Sequence, residues 1–245
     1  MPPPANRLVI VGDAHLGAVP REVEEAFLAF LDGVPDQGDG LLVNGDLFDF
    51  WFAYRRAVPR AGIRVVARLA AVARRIPVWM TGGNHDRWAG SFWDQELGIH
   101  FAPEELYLRL GPGSVLAVHG DGVAEARWAG RMIHRVSRHP LTTATYRLLH
   151  PDAGLWLVQR FSRHLADPGR DAACLDRAAL LQREWATRRL RDAGDISLLI
   201  MGHTHRPALE EPFPGRRYLN PGAWLDGLRY AVATETTAEL RQFRG

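Results

Sequence analysis

The chain contains no lysine: all 30 of its Lys and Arg side chains are arginine. That uniformity carries little functional information by itself, but other absences exclude whole classes. A single cysteine, Cys174, rules out an internal disulfide framework and any thiolate cluster for zinc. No stretch offers the roughly eighteen uninterrupted apolar residues that a membrane-spanning helix needs. The first residues, Met1-Pro2-Pro3-Pro4, lack a basic segment leading into an apolar run and do not read as a secretory signal. Internal repeats and low-complexity tracts are missing too. The expectation is a soluble or surface-attached protein of a reducing cytoplasm.

The 245 residues suffice for one well-buried core carrying a sizeable insertion, and 47% apolar with 24% charged residues is ordinary for a folded protein. Short apolar runs at Leu8 to Val11, Leu41 to Val43, Val78 to Met80, Val115 to Val118 and Leu198 to Met201 read as buried strands. Helical spacing at Arg21 to Leu31, Ile63 to Arg75 and Ala179 to Arg191 lies among them, which argues for an α/β core. Arg217 to Leu219 and Tyr230 to Thr234 look like further strands. The stretch 122–192 holds no convincing strand. That stretch holds 13 arginines and 7 acidic residues, a net of +6 in a chain of net +2, so the remainder carries −4. A core of 1–121 and 193–245 with a basic helical insertion at 122–192 is the simplest division.

Each of the five strand-like runs is followed at once by a polar motif: Gly12-Asp13-Ala14-His15, Gly45-Asp46, Gly83-Asn84-His85-Asp86, His119-Gly120-Asp121 and Gly202-His203-Thr204-His205. Loops at the carboxyl ends of strands in open α/β sheets converge on one crevice. Such convergence brings Asp13, His15, Asp46, Asn84, His119, His203 and His205 around one point. Singly, each has a plainer explanation as a cap, a turn former or a surface histidine. Jointly they do not, because five of the ten histidines fall in these motifs. Carboxylates, imidazoles and an amide oxygen without thiolate suit Mn²⁺, Fe²⁺, Zn²⁺ or Mg²⁺, with manganese the first choice.

Seven ligands hold two ions if one Asp bridges, and Asp46 on the second strand is the natural bridge. Two such ions about 3.5 to 4 Å apart share a hydroxide nucleophile for in-line attack at phosphorus. His85, beside Asn84, faces substrate and is assigned transition-state stabilisation or protonation of the leaving group. Asp46, Asn84 and His85 form the catalytic set. Asp86 and Asp121 are read as partners that orient imidazoles, with loop capping the equally plain alternative.

In this order the motifs resemble the calcineurin-like metallophosphoesterase superfamily. The resemblance implies two facing mixed β-sheets flanked by helices, with the metals at one edge. It also implies one ion on Asp13, His15, Asp46 and His205, and the other on Asp46, Asn84, His119 and His203. The flanks, Gly45-Asp46-Leu47-Phe48-Asp49-Phe50-Trp51, His119-Gly120-Asp121-Gly122, Gly202 to Ala208 and Pro221-Gly222-Ala223-Trp224, are similar to UDP-2,3-diacylglucosamine diphosphatases of lipid A biosynthesis. That family hydrolyses a pyrophosphate to UMP and 2,3-diacylglucosamine 1-phosphate, uses Mn²⁺ and closes a helical lid over the acyl chains. The chain departs from its best-known branch in placing His85, rather than arginine, after the metal-binding Asn.

On that resemblance the partners are a nucleotide-lipid substrate and the inner membrane surface. Arg87, Ser162 and Arg163, with Asn84, His85 and His203, are the expected substrate contacts. Leu148, Leu149, Trp156 and their neighbours among arginines read as an acyl slot or as an ordinary amphipathic helix pair. The arginines would also suit a nucleic-acid backbone, which the resemblance disfavours. The alternatives are a generic phosphodiesterase acting on nucleotides or nucleic acid, and a non-catalytic scaffold with the same fold. No obligate protein partner is called for.

Overall fold

The computed structural model of the protein describes residues 3–54, 56–123, 136, 139–165 and 172–245. Its first sheet is built from β1 (Arg7–Val11), β2 (Gly40–Asn44), β3 (Val78–Thr81), β4 (His100–Ala102), β10 (Arg229–Thr234) and β11 (Ala238–Gln242), in the order β11-β10-β1-β2-β3-β4. Strands β1 to β4 run parallel, with Leu8 opposite Gly40 and Leu41 opposite Val78, and β10 and β11 add an antiparallel edge. The second sheet orders β5 (Glu105–Leu110), β6 (Gly113–Val118), β7 (Ile196–Ile200), β9 (Arg216–Asn220) and β8 (Ala208–Phe213) as β5-β6-β7-β9-β8, with β6, β7 and β9 parallel.

Side-chain alternation along the strands builds the layers. On β1, Leu8 and Ile10 point between the sheets to meet Leu42, Trp79, Leu106, Leu108, Leu198 and Leu219. Val9 and Val11 point the other way, onto a core with Phe27, Phe30 and Leu31 of α1 (Arg21–Gln37) and Val65, Leu69 and Val72 of α2 (Ile63–Ala73). Across the second sheet, Leu116, Leu199 and Met201 pack on Ala186 and Leu190. Those two belong to α6 (Ala172–Asp192), which follows α3 (Phe92–Leu97), α4 (Pro140–Tyr146) and α5 (Pro151–Leu165). The result is a helix, sheet, sheet, helix sandwich, the two-sheet arrangement that the resemblance implies. Each fully buried Leu or Val in these layers contributes roughly 1.5 to 3 kcal/mol.

The differences from the sequence reading have physical causes. Helix α1 continues past Leu31 to Gln37 through Gly33 and Pro35, because Val34 is fully buried on the α1 core face. Strand β5 lies outside the continuous apolar runs because Glu105-Leu106-Tyr107-Leu108-Arg109-Leu110 alternates exposed and buried along its length. The helix 172–192 closes the sandwich by packing on the second sheet. Among the described residues no helix is long and apolar enough to cross a membrane.

Candidate metal centre

Strands β1, β2, β3, β6 and β7 all end at one edge, and the loops leaving them are stitched together. Asp13 N–H donates to Gly45 O at 3.1 Å, Ala14 and His15 N–H donate to Asp46 O at 2.9 and 3.0 Å, and Gly202 N–H donates to His119 O at 3.0 Å. Trp224, its ring buried among Phe27 and Phe30, donates its backbone N–H to Gly12 O, which ties the Pro221-Gly222-Ala223-Trp224 segment to the first loop.

These loops hold an unusual backbone. Six non-glycine residues among those described have positive φ, and five of them are Asp13, His15, Asp46, His203 and His205. Left-handed backbone costs an L-residue about 1 to 2 kcal/mol, and such strain clusters where function requires it. Glycines clear the space around it. At Gly45, itself at positive φ, a Cβ would sit 2.6 Å from His119 Nδ1, and at Gly83 it would overlap the Asp46 carboxylate.

Three groups of potential ligand atoms result among the described residues, each within 4.8 Å: Asp13-His15-His205 and Asp46-His119-His203, made of predicted ligands alone, and His15-Asp49-His85 beside them. The Asp46 carboxylate lies between the first two: its Oδ2 is 3.6 Å from His15 Nε2 and 3.2 Å from His119 Nε2. His205 Nε2 is 3.5 Å from Asp13 Oδ1. Asn84 Oδ1 and His119 Nε2 are buried without a hydrogen-bond partner, and both belong to the predicted ligand set. Two unpartnered polar atoms at a buried cluster of carboxylates and imidazoles fit a divalent cation.

The tautomers fit as well. A carbonyl only accepts, so His119 Nδ1, 3.0 Å from Asn44 O, carries the proton and leaves Nε2 to ligate. His205 Nδ1 likewise donates to Asp226 Oδ2 at 2.9 Å. Burial disfavours charge on His119, but the Asp46 and Asp13 carboxylates outweigh it and push the imidazole up to about 10. Burial and the neighbouring His119 charge push His203 down to about 3. Burial opposes ionisation of Asp46, yet His119 and His85 hold it well below the usual carboxylate range. Without a cation, the proton on His119 supplies positive charge between carboxylates.

A cavity of about 260 Å³ opens over these groups, lined by His15, Asp46, Asn84, His85, His203 and His205 with Asp49 and the apolar Ala18, Val19 and Leu225. Asp13 and His119 lie beneath it, essentially inaccessible.

A family model described as calcineurin-like phosphoesterase matches residues 6–207. The chain belongs to that family. Its curated relatives include the UDP-2,3-diacylglucosamine hydrolase of Bordetella parapertussis, 31% identical over 205 residues, which cover 82% of this chain and 78% of the relative. The UDP-2,3-diacylglucosamine hydrolase of Porphyromonas gingivalis is 27% identical over 255 residues, covering 96% and 97%. Among solved structures, vacuolar protein sorting 29 from Cryptosporidium parvum covers 98% of both chains at 15% identity with a TM-score of 0.48.

As a calcineurin-like phosphoesterase the protein is a metal-dependent hydrolase, and the placement of its other predicted residues follows. His85 lines the cavity, its ring edge-on to His15 at 4.8 Å, and its Nδ1 donates to Asp49 O at 2.6 Å, leaving Nε2 free of that anchor. Asp86, fully buried, orients no imidazole among the described contacts; it accepts from Leu47 N–H at 2.7 Å and Gly83 N–H at 2.8 Å and so ties two loops together. Arg87, expected among the substrate contacts, does not line the cavity: its side chain is 4% exposed and forks between Glu104 and Asp121. Asp121 is thus paired with Arg87. Ser162 and Arg163 fall on α5, and their side chains lie outside the described residues.

Three residues were missed. Asp49, within 3.9 Å of both His15 and His85, is the third residue after Asp46, a spacing that would have singled it out. Asp226 carried no sequence signal. Gln182 occupies an apolar helical stripe with Ala179, Ala186 and Leu190, where a buried amide stands out only once the stripe is known to be buried.

Proposed function

We propose that the protein hydrolyses the pyrophosphate of UDP-2,3-diacylglucosamine, releasing UMP and 2,3-diacylglucosamine 1-phosphate. The observation that carries the phosphoester chemistry is the convergence of Asp13, His15, Asp46, Asn84, His119, His203 and His205 on one edge, with two partnerless ligand atoms among them. The named substrate of the relatives supports the choice of lipid nucleotide.

The residues would hold two divalent ions, of which we favour manganese: one on Asp13, His15, Asp46 and His205, the other on Asp46, Asn84, His119 and His203. Bound there, the ions would supply an acidified water and positive charge against the phosphate oxygens. Asp46 and Asp13 balance that charge, and Asp226 and the Asn44 carbonyl hold His205 and His119 with the correct nitrogen inward. His85 offers Nε2 toward the phosphoryl group or the departing sugar phosphate, which leaves as the P–O bond to the bridging oxygen breaks.

The insertion at 122–192, apart from α6 on the second sheet, would cover the sugar and acyl chains. Tyr146 of α4 packs on Phe50 and Phe52, in the loop that follows Asp46, with ring centroids 5.9 and 4.5 Å apart, which supports a position for α4 near the metal loops. Leu141, Leu148 and Trp156 are 70%, 86% and 62% exposed amid arginines, an arrangement suited to acyl chains and an anionic inner membrane surface. Purified protein incubated with the lipid nucleotide and Mn²⁺ should release UMP. Cleavage of bis-para-nitrophenyl phosphate without UMP release would sink the lipid reading and leave a generic phosphodiesterase.

A further inference from the structure

We infer that Gln182 is a positioning residue for one ion site in particular, that of Asp46, Asn84, His119 and His203, and that through it the last helix of the insertion holds the metal loops. The inference rests on the metal reading above.

Gln182 is fully buried on the face of α6 that packs against the second sheet, where its stripe neighbours Ala179, Ala186 and Leu190 are apolar. Packing alone asks for another apolar residue there. Instead both amide hydrogens are used: Nε2 donates to Gly120 O at 3.3 Å and to Gly202 O at 3.1 Å. Gly120 follows His119 and Gly202 precedes His203, so one amide group spans the backbone beside both imidazoles of a single cluster. The acceptor end is fixed as well, since Oε1 accepts from Thr204 Oγ1 at 3.1 Å. Thr204 and Gly202 in turn receive Asn220 Nδ2 at 3.2 and 3.3 Å.

Gly120 gives independent support. It has φ of +100°, and a Cβ there would overlap the Gln182 amide nitrogen, so the loop is shaped around this side chain. The other cluster has further supports of its own: Asp13 and His15 N–H donate to the Gly45 and Asp46 carbonyls and His205 is held by Asp226, so that its links to Gln182 are only indirect, through Thr204 and through His203 N–H on the Asp13 carboxylate. Loss of the amide donors should therefore be felt unequally by the two ions.

The test is a stepwise Mn²⁺ titration of metal-free, full-length protein by calorimetry, with Gln182→Met, which keeps the length and removes both donors, and Gln182→Glu, which keeps the acceptor for Thr204. In each variant one binding step should weaken by about 10- to 100-fold while the other holds its wild-type value. Excess Mn²⁺ should then restore kcat toward bis-para-nitrophenyl phosphate. If Gln182→Met does not fold, Gln182→Glu decides. Two unchanged steps, or two steps weakened alike, would overturn the inference while leaving the metal reading intact. Failure of the wild-type protein to bind Mn²⁺ would overturn both.

Discussion

The loops at the ends of β1, β2, β3, β6 and β7 bury their polar groups and lock them by backbone hydrogen bonds, whereas α4, α5 and the turn between them expose Leu141, Trp156 and Leu148 to solvent. In the first region five residues with left-handed φ are held by the surrounding chain. In the second, aromatic packing of Tyr146 on Phe50 and Phe52 is the main described tie to the core. The chemistry that breaks a phosphoester bond demands fixed ligands, and the acyl-binding surface proposed for the second region would not. Changes in the two regions should therefore have different signatures: metal and kcat in one, KM in the other.

The sharpest break should come from Asp46→Ala. It removes the carboxylate between His15 and His119, and elemental analysis should find the protein without its metal, with activity reduced by more than the roughly 10²- to 10⁴-fold that a lost acid–base group costs. Retention of metal at wild-type stoichiometry would contradict the bridging role. His85→Ala should keep both ions and lose about 10²- to 10⁴-fold in kcat. Loss of the ions along with activity would make His85 a ligand instead.

A smaller effect follows from the raised imidazole of His119. A group whose pKa rises on folding contributes stability that is fully present below its unfolded value, here 6.5, and lost as pH climbs through the folded value, here about 10. Chelator-treated protein should therefore melt several degrees lower at pH 10 than at pH 6.5. Manganese, whose binding replaces that proton, should remove the trend. A melting temperature of the metal-free protein that rises with pH across this window would refute the electrostatic picture. The smallest change belongs to the insertion: Trp156→Glu should alter unfolding free energy by less than about 0.5 kcal/mol while raising KM for the lipid nucleotide several-fold, read by denaturant melts and steady-state kinetics.

The same contrast explains how far the sequence could be read. The strand ends were legible because each apolar run stops against Asp, Asn or His, and those motifs do meet at one edge. The family and the two-sheet fold followed from the same residues. Asp86 and Arg87 were harder, since a carboxylate that accepts backbone N–H groups and an arginine buried against Asp121 look, in one dimension, like any charged residues beside a site. Gln182 and Asp226 reach the centre only through the packing of distant segments, which no local pattern reveals. The insertion offered composition without geometry, and composition named a class of partner but placed no contact.

The most direct test of the account is anomalous diffraction at the manganese edge from a crystal soaked in Mn²⁺. Two peaks about 3.5 to 4 Å apart should flank the Asp46 carboxylate, one beside Asp13, His15 and His205 and the other beside Asn84, His119 and His203. A single peak, or a pair that leaves Asp46 uncoordinated, would contradict it.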